Sequence, residues 1–488
     1  MSSERLSYRF GPLERRGLLG PLRFGQTAIF AGALGLAVGL LDLVGGGLGV
    51  TLALGLTAAA TALVTAPLAG RTLDQWIPVA CAFTFRSISG QRRFRIRLPL
   101  PSPSGSDLLS RERPASLRDV HLQSLQHGNR RFGALVQRRG RLLTPILACR
   151  SLSFALLEPE AQERRLAQWG SVLAHAASTP LQRLQWIERT APAQGDELAQ
   201  WLNSARAPYI PPRGTPIVES YLELITSTTQ VRHDHEILLA PQFETTRLDG
   251  GSAHLAQRIS EEITQLAHAL EAADISVLGV LTANQIARVL RTAFDPYARS
   301  ELTLTDTLNS RGPVPDPGQA IPAGTHEAWD HYRCDGACHA TFWISGWPAT
   351  GVSPMFMDAL LGTSATVRTV SVIFEPVAPD RSARDARAAV TRDHADAELR
   401  RRFGQSESAR QRQVQEAAAR REAELAAGHG EVRLVGFVTV SGRDEDELRR
   451  ACAQVHTHAA RGRLELRRLY GQQQEAFSFT LPLGRGLR

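Results

Sequence analysis

The sequence predicts an α+β protein in which an N-terminal two-helix transmembrane hairpin precedes a mixed α/β cytoplasmic region. Three observations lead to this prediction. One long apolar stretch lies near the N-terminus, the net positive charge is concentrated around it, and the rest of the chain alternates between short β-like runs and amphipathic helices. A length of 488 residues with 43% hydrophobic residues is enough for several domains with their own cores.

The apolar stretch extends from Phe24 to Leu68 and is interrupted by Asp42 and a glycine cluster at 45–47. The two predicted spans, about 25–43 and 48–68, each approach the ~20 residues that cross a hydrocarbon core. Residues 1–100 hold eleven arginines against four acidic residues, whereas the remainder holds 45 arginines against 44. Because the arginines flank the outer ends of the spans, the positive-inside rule predicts a multi-pass protein of the cell membrane with both termini in the cytoplasm.

Two other interpretations of the apolar stretch are a signal peptide and a buried soluble hairpin. A signal peptide is shorter and lies closer to the N-terminus, and a soluble hairpin needs polar residues that are missing between Ala28 and Leu41. Gly32, Gly35 and Gly39 would allow another helix to pack closely against the first span. That helix is either the second span of the hairpin or a helix of a partner, such as a second copy of the chain.

The segment after the second span mixes apolar, aromatic and basic residues and is predicted to lie at the membrane interface. Its predicted membrane anchors are Arg71, Trp76, Arg92 and Arg93. The alternation of cation and apolar residue in 91–97 is also typical of a nucleic-acid-binding strand, but its position favours attraction to anionic lipid.

The hairpin and its basic flank form the predicted region 1–98, and a Pro-rich linker, 99–118, follows. An α/β domain is expected at 119–308, a Pro- and Gly-rich loop at 309–325, and a second α/β subdomain at 326–488 with a charged helical insertion at 380–428. Within these regions the pattern predicts helices at 159–176, 194–203, 216–227, 253–273 and 283–294, and strands at 182–189, 235–239, 275–281 and 370–374. Near the C-terminus, a strand–helix–strand pattern from Val432 to Leu469 predicts a ferredoxin-like subdomain.

The chain contains no lysine, since all 56 basic residues are arginine. A Walker A loop and Schiff-base chemistry both require lysine, so these two classes of site are excluded. No nucleophile elbow and no HExxH motif is present. We therefore expect a protein that is not an enzyme and has no cofactor.

One cluster of metal-ligand residue types remains, namely His331, Cys334, Cys338 and His339. Two thiols and two imidazoles within nine residues are enough for a tetrahedral zinc site, although their spacing is not that of a zinc knuckle. His233 and His235 share one face of a predicted strand but lack a third ligand. The balanced charge after residue 100 provides no broad nucleic-acid footprint, so direct DNA binding stays an open alternative.

The order of these features resembles a known family. The hairpin that ends in 71–78 resembles the PrgI-like membrane proteins of actinobacterial conjugation-type loci. The cytoplasmic part resembles the N-terminal half of the VirB-family type IV secretion traffic ATPase, through 280–282, 288–291, 327–332 and especially 472–484. The chain stops four residues after Gly484, where the ATPase half of such proteins would begin, so no catalytic residue is implied.

This resemblance implies a non-catalytic, membrane-anchored component of a conjugative or type IV-like secretion apparatus. The expected partners are membrane lipids, a separately encoded P-loop traffic ATPase, other transfer-apparatus membrane proteins and a second copy of the chain. The alternative is a membrane-tethered, metal-dependent enzyme or DNA-processing factor that uses His331, Cys334, Cys338 and His339.

Overall fold

A computed structural model describes residues 24–65, 67–68, 70–96, 113–151, 154–192, 233–248, 251–298, 321–348, 351–362, 366–377 and 431–486, together with a few isolated positions. The helices predicted at 194–203 and 216–227 and the charged insertion 380–428 lie almost entirely outside the described residues, as do most of the linker 99–118 and of the loop 309–325.

The N-terminal helices form a hairpin. Helix α1 (Phe24–Val44) and helix α2 (Gly46–Thr65) are joined by a reversal at Gly45 and Gly46, whose φ angles of 57° and 61° suit glycine. Small side chains fill the interface between the helices, and they are Ala33, Ala37, Ala53 and Ala60. Near the open end of the hairpin, the buried Gln26 Nε2 donates a hydrogen bond to Val64 O at 3.1 Å.

Gly32, Gly35 and Gly39 do not form this interface. A Cβ atom built at any of the three would meet no atom within 4 Å. These glycines therefore lie on the outer surface of α1, and of the two roles expected for them, only contact with a partner remains.

Among the described residues, one segment has the length and apolarity of a membrane span, Gly46–Val64 in α2. Ile29–Val44 in α1 is a shorter apolar helix. Only 22% of the apolar window in α2 is buried, whereas a core helix of a soluble protein is mostly buried. By length and composition, the described part of the chain thus supplies one spanning helix where the sequence predicted two.

The chain then passes through a short hairpin of strands β1 (Pro67–Leu68) and β2 (Arg71–Thr72) into helix α3 (Leu73–Ile88), and it leaves through strand β3 (Arg93–Arg95). Helix α3 packs against α2. The part of the protein that follows is called the body, and it comprises the described residues from 113 to 486.

The strands of the body are β4 (His121–His127), β5 (Arg130–Gln137), β6 (Leu142–Pro145), β7 (Leu147–Ser151), β8 (Leu181–Pro192), β9 (His233–Glu244), β10 (Ile275–Val280), β11 (Gly324–Glu327), β12 (Tyr332–Cys334), β13 (Ala337–Gly346), β14 (Arg368–Val377), β15 (Glu431–Gly442) and β16 (Glu465–Arg468). Its helices are α4 (Pro159–Ala176), α5 (Gly251–Ala272), α6 (Ala283–Phe294), α7 (Asp358–Leu361), α8 (Glu445–Arg461) and α9 (Gln473–Phe477). The mixed α/β character predicted from the sequence is confirmed.

One sheet of 14 strands runs through the body and also takes in β3. Two stretches of chain repeat the same topology within it. The elements β7-α4-β8-β9-α5-β10 form antiparallel strands in the order β10-β7-β9-β8, and β13-α7-β14-β15-α8-β16 form the order β16-β13-β15-β14. In both, the fourth strand lies beside the first, and the third lies between the first and the second.

The two units join through their second strands, because β8 pairs antiparallel with β14 from Leu184–Phe374 to Thr190–Arg368. The sheet is therefore continuous across the loop predicted at 309–325, while the division of the chain into separate domains stays a prediction. Strands β4, β5 and β6 extend the sheet from β9, and β3, β11 and β12 extend it from β13.

Each face of the sheet carries a different layer. Helices α4 and α5 cover one face of the first unit and form a hydrophobic core with it, and α7 and α8 do the same in the second unit. Trp186 of β8 packs against both of these cores. The opposite face receives α6, α9 and residues 478–486, whose side chains Phe477, Leu481 and Leu483 are buried.

Candidate functional site: the junction between helix α3 and the body

Helix α3 docks on the body through its aromatic side chains. The ring of Trp76 stacks on Trp329 with centroids 5.8 Å apart, and Phe83 meets the same indole edge-on at 4.9 Å. Tyr470 lies 6.1 Å from Trp76 on the far side of this group. Aromatic pairs with these geometries each contribute roughly 0.5–1.5 kcal/mol beyond the area they bury. The cluster therefore fixes the helix that follows the N-terminal hairpin onto the ends of β11 and β16.

A buried carboxylate lies beside the aromatic rings. Glu327, at the end of β11, is 0% exposed, and its Oε2 accepts a hydrogen bond from Arg86 Nε of α3 at 3.2 Å. Its Oε1 accepts from the backbone N–H of Gln474 at 3.1 Å. Burial raises the pKa of Glu327, whereas the charge of Arg86 acts in the opposite direction. One side chain thus ties α3, β11 and the start of α9 together.

The chain also passes very close to itself in this junction. Gly471 has φ of 68°, and a Cβ atom there would lie 2.6 Å from the Trp329 ring and 2.9 Å from Val79 of α3. The Gly471 N–H donates to Trp329 O at 2.6 Å, and its carbonyl accepts from Arg86 Nη2 at 2.5 Å. Both the backbone angle and the lack of space require glycine at this position.

The four predicted membrane anchors lie in or beside this junction. Arg71 Nη2 donates to Gln472 Oε1 at 3.3 Å, and its guanidinium lies over the Trp76 ring. Arg92 Nε donates to Glu327 O at 2.8 Å and lies over Phe83. Arg93 is exposed on β3. The structure therefore brings Arg71, Trp76 and Arg92 together against the body, and a direct contact of these four residues with lipid stays a prediction.

The predicted metal ligands do not converge. Cys334 pairs with Ala337 across the β12–β13 hairpin, and Cys338 pairs with Arg333, which places the two thiols on opposite faces of the sheet. Cys334 belongs to the core beneath α6, and Cys338 belongs to the core beneath α8. His331 bonds to Asp330 at 2.9 Å. No group of three or more His, Cys, Asp or Glu side chains is close enough to hold a metal ion among the residues described here.

His339 is held in a neutral form by its surroundings. The imidazole is fully buried, with Nε2 2.8 Å from Phe294 O and Nδ1 2.8 Å from Ser441 Oγ. Since a carbonyl can only accept, Nε2 carries the proton and Nδ1 accepts from the serine hydroxyl. Burial lowers the pKa of His339 to about 4. Both nitrogens are engaged, so this imidazole links α6, β13 and β15 and leaves no lone pair for a metal.

His235 of the other candidate pair lies at the edge of a different group. Its Nδ1 is 2.7 Å from Oε1 of the buried Glu188, which also accepts a hydrogen bond from Thr190 Oγ1 at 2.9 Å. The side chain of His233 lies outside the described residues. Of the two histidines, the structure therefore shows only the contact of His235 on β9 with Glu188 on β8.

The C-terminal segment is held on the sheet by glutamines. Gln185 of β8 is fully buried, and its Nε2 donates to Phe479 O and Leu481 O at 3.0 and 2.9 Å, while its Oε1 accepts from Gly484 N at 2.7 Å. Gln137 of β5 and Gln242 of β9 both donate to Leu483 O at 2.8 Å. Side chains from three strands thus replace the hydrogen bonds that a neighbouring strand would give this segment.

Several of these residues were not predicted. Glu327 and Trp329 were noted only as part of a resemblance, and the three glutamines were not singled out. The sequence signal that could have found Gln185 is a polar residue inside the otherwise apolar run from Leu184 to Ile187. For Glu327, the signal is an acid two residues before Trp329, which alone does not separate a buried carboxylate from an exposed one.

Comparison with known proteins shows a family to which part of the chain is similar. Residues 245–344 match a protein-family model, EccE, described as "Putative type VII ESX secretion system translocon". No curated protein matches the chain. The matched stretch runs from the turn before α5 to β13, so it carries Glu327 and Trp329. These two residues are part of the surface on which α3 docks, while Tyr470, Gly471 and Gln472 of the same surface lie outside the match. The chain is therefore similar to a membrane component of a secretion system, and the match lends no support to the PrgI-like or VirB ATPase-like resemblance.

Proposed function

We propose that this chain is a non-catalytic, membrane-anchored component of a type VII-like secretion apparatus, in which the hairpin holds the body at the membrane and the body docks a separately encoded ATPase. One observation carries the proposal. The stretch that is similar to the EccE translocon family contributes Trp329 and Glu327 to the surface that receives α3, and this surface connects the body with the N-terminal helices.

We extend the proposal to both hairpin helices, which cross the membrane and leave both termini in the cytoplasm. The 21 residues of α1 and the 20 of α2 correspond to roughly 30 Å of helix each, close to the thickness of the hydrocarbon core. Most large apolar side chains of the pair are exposed, including Leu34, Leu43 and Leu54 at 62%, 88% and 64%. This exposure favours lipid as their surroundings.

The body serves as a rigid platform in this proposal. The strand order β16-β13-β15-β14 with two crossing helices supports the predicted ferredoxin-like arrangement in the second unit, and the first unit repeats it. The continuous sheet and the C-terminal segment that crosses it hold the two units in one piece, which suits a surface for protein docking. The family match favours a type VII over a type IV apparatus.

The test is crosslinking in intact cells, followed by detergent extraction and affinity capture through an N-terminal tag, because residues near the C-terminus are buried against the sheet. Recovery of a P-loop ATPase together with other secretion-locus membrane proteins supports the proposal. A matched preparation with Trp329→Ala tests whether recovery depends on the junction. Recovery of the chain alone, or from the soluble fraction, overturns the proposal.

A further inference from the structure

Helix α3 has two faces, and the body covers only one of them. Trp76, Val79, Phe83 and Arg86 follow one another at helical spacing and face the body. Ile77, Cys81, Phe85 and Ile88 follow the same spacing along the other side and are exposed, with 49%, 68% and 83% exposure for Ile77, Phe85 and Ile88. These four residues are called the outer stripe.

The outer stripe carries no charge. From Ile77 to Ile88 the single ionisable basic or acidic residue is Arg86, and it is bonded to Glu327 on the body side. Solvent-exposed helix faces normally carry charged residues, so an uncharged row that contains Ile, Phe and Ile is not suited to water. All other large exposed apolar side chains of the described residues except Leu156 and Leu278 lie on α1 and α2.

Lipid is the occupant that the surroundings favour. Helix α3 packs against α2 and begins eight residues after its end, so the outer stripe continues the apolar surface of the hairpin. After the helix, Arg93 and Arg95 point outward from β3 on either side of Phe94, and neither forms an ion pair with another described residue. Cations next to an apolar helix face are typical of segments that lie in the headgroup region of an anionic membrane.

We propose that α3 is an interfacial helix enclosed between the body and the membrane, with Ile77, Cys81, Phe85 and Ile88 immersed in the boundary between headgroups and acyl chains. Its aromatic side, which contains Trp76, is the one that holds the body. This proposal rests on the proposed membrane anchorage of the hairpin, and it adds that the body lies directly on the bilayer surface rather than being tethered at a distance.

Cys81 allows a direct test, because it is exposed in the middle of the outer stripe while the other four cysteines are buried. The purified full chain is labelled at Cys81 with an environment-sensitive maleimide and reconstituted into vesicles of phosphatidylcholine and phosphatidylglycerol. Two reference proteins carry Cys81→Ser together with Leu54→Cys, on the outer surface of α2, or Ser171→Cys, on the exposed side of α4. Quenching is measured with brominated lipid and with iodide present on both sides of the membrane.

The expected result is that the Cys81 label loses fluorescence in brominated lipid, as the Leu54→Cys label does, and is protected from iodide. The Ser171→Cys label is expected to show the reverse. Quenching of Cys81 by iodide, with Leu54→Cys still quenched by bromine, overturns the interfacial position of α3 while leaving the hairpin in the membrane. Protection that disappears when the protein is diluted in lipid shows a second copy on the stripe and also overturns it. Absence of bromine quenching at Leu54→Cys rejects the membrane anchorage itself.

Discussion

Arg86 of helix α3 donates a hydrogen bond to the carboxylate of Glu327, a residue 241 positions later that is fully buried. The guanidinium is the charge partner of an acid whose pKa burial alone would raise. The ion pair therefore links the segment after the N-terminal hairpin to the interior of the body.

We expect Arg86→Ala to destabilise the full chain in detergent by about 3 kcal/mol, because an uncompensated carboxylate would remain buried. Adding Glu327→Gln should recover part of this loss, since the acid is then neutral. Arg258→Ala is the matched control, because its pair with Glu261 is 41% exposed on both sides and is screened by solvent, so its loss should have little effect. Urea unfolding followed by fluorescence measures all three. Equal effects of Arg86→Ala and Arg258→Ala would mean that Glu327 does not depend on its partner.

A second prediction concerns the aromatic part of the junction. Trp76→Ala should release α3 from Trp329 and speed amide hydrogen exchange in residues 73–88, while the core strands of the body keep their protection. Trp169→Ala is the reciprocal control, because Trp169 packs edge-on against Phe374 at 5.7 Å within the body. It should loosen α4 and leave α3 protected. Unchanged exchange in α3 after Trp76→Ala would show that the stack does not hold the helix.

The C-terminal segment should depend on Gln185. Gln185→Leu keeps the volume but removes the hydrogen bonds to Phe479 O, Leu481 O and Gly484 N. Phe479 O still accepts from Ser371 Oγ and Leu481 O from the Leu483 N–H, so the buried Gly484 N–H is the group that loses its partner, at about 1–3 kcal/mol. We expect faster proteolysis within 478–486 and a lower midpoint of unfolding. The same change at the exposed Gln257 of α5, which bonds only to Glu261, should have little effect. Full resistance of 478–486 in Gln185→Leu would contradict the role given to this amide.

Two glycines should respond to alanine with opposite signs. A Cβ at Gly133 of β5 would lie 2.6 Å from Ala283 N and 2.8 Å from Ile286 Cδ1 of α6, so Gly133→Ala should cost about 1–3 kcal/mol. Gly170 lies within α4 with no atom within 4 Å of its Cβ position. Gly170→Ala should therefore stabilise the protein by roughly 0.5–1 kcal/mol. The midpoints of thermal unfolding of the two variants and of the unchanged protein give the comparison. A Gly133→Ala protein as stable as the unchanged protein would be inconsistent with the close contact between β5 and α6.

His339 should make the stability depend on pH. Its pKa is lowered from 6.5 to about 4 in the folded chain by burial, so the unfolded chain takes up a proton that the folded chain does not accept. The stabilisation is complete above pH 6.5 and is lost as the pH falls toward 4, with about 2 kcal/mol lost by pH 5.

Unfolding midpoints between pH 7.5 and pH 5 test this prediction. His339→Gln should flatten the pH dependence, because the amide can still donate to Phe294 O and accept from Ser441 but does not titrate. His175→Gln, at an exposed position on α4, should leave the slope as it is. An unchanged slope in His339→Gln would exclude this imidazole as the titrating group.

Local elements followed closely from the sequence. The helix predicted from Pro159 to Ala176 has those limits, and the helix predicted at 283–294 is α6. Both have amphipathic periodicity, and α6 begins with a capping box formed by Thr282 and Gln285. The predicted strand at 275–281 and the final strand–helix–strand pattern were also found within two residues. Periodicity and capping residues involve positions within one turn or one strand, so these features can be recognised in a single sequence.

Contacts between residues far apart in the sequence could not be predicted from these local patterns. Periodicity identified β8 and β14 as strands, but the pairing of Leu184 with Phe374 joins residues that no local pattern connects. For the candidate site, Trp76 was recognised as an interfacial residue, yet the sequence does not tell which side of α3 meets the body. That choice depends on Trp329 and Glu327, whose position is fixed only when β11 pairs with β3.

The C-terminal segment also sets the order in which the protein can be completed. Gln137 donates a hydrogen bond to the carbonyl of Leu483, which is synthesised 346 residues later. Arg71 donates to the side chain of Gln472, which follows it by 401 residues. The apolar hairpin leaves the ribosome long before either partner is made, so under the proposed anchorage its insertion into the membrane would precede closure of the sheet. Until residues 472–485 are synthesised, the side chains that form hydrogen bonds with them are exposed to water next to an incomplete hydrophobic core. The body would therefore be completed last, after the proposed insertion of the hairpin into the membrane.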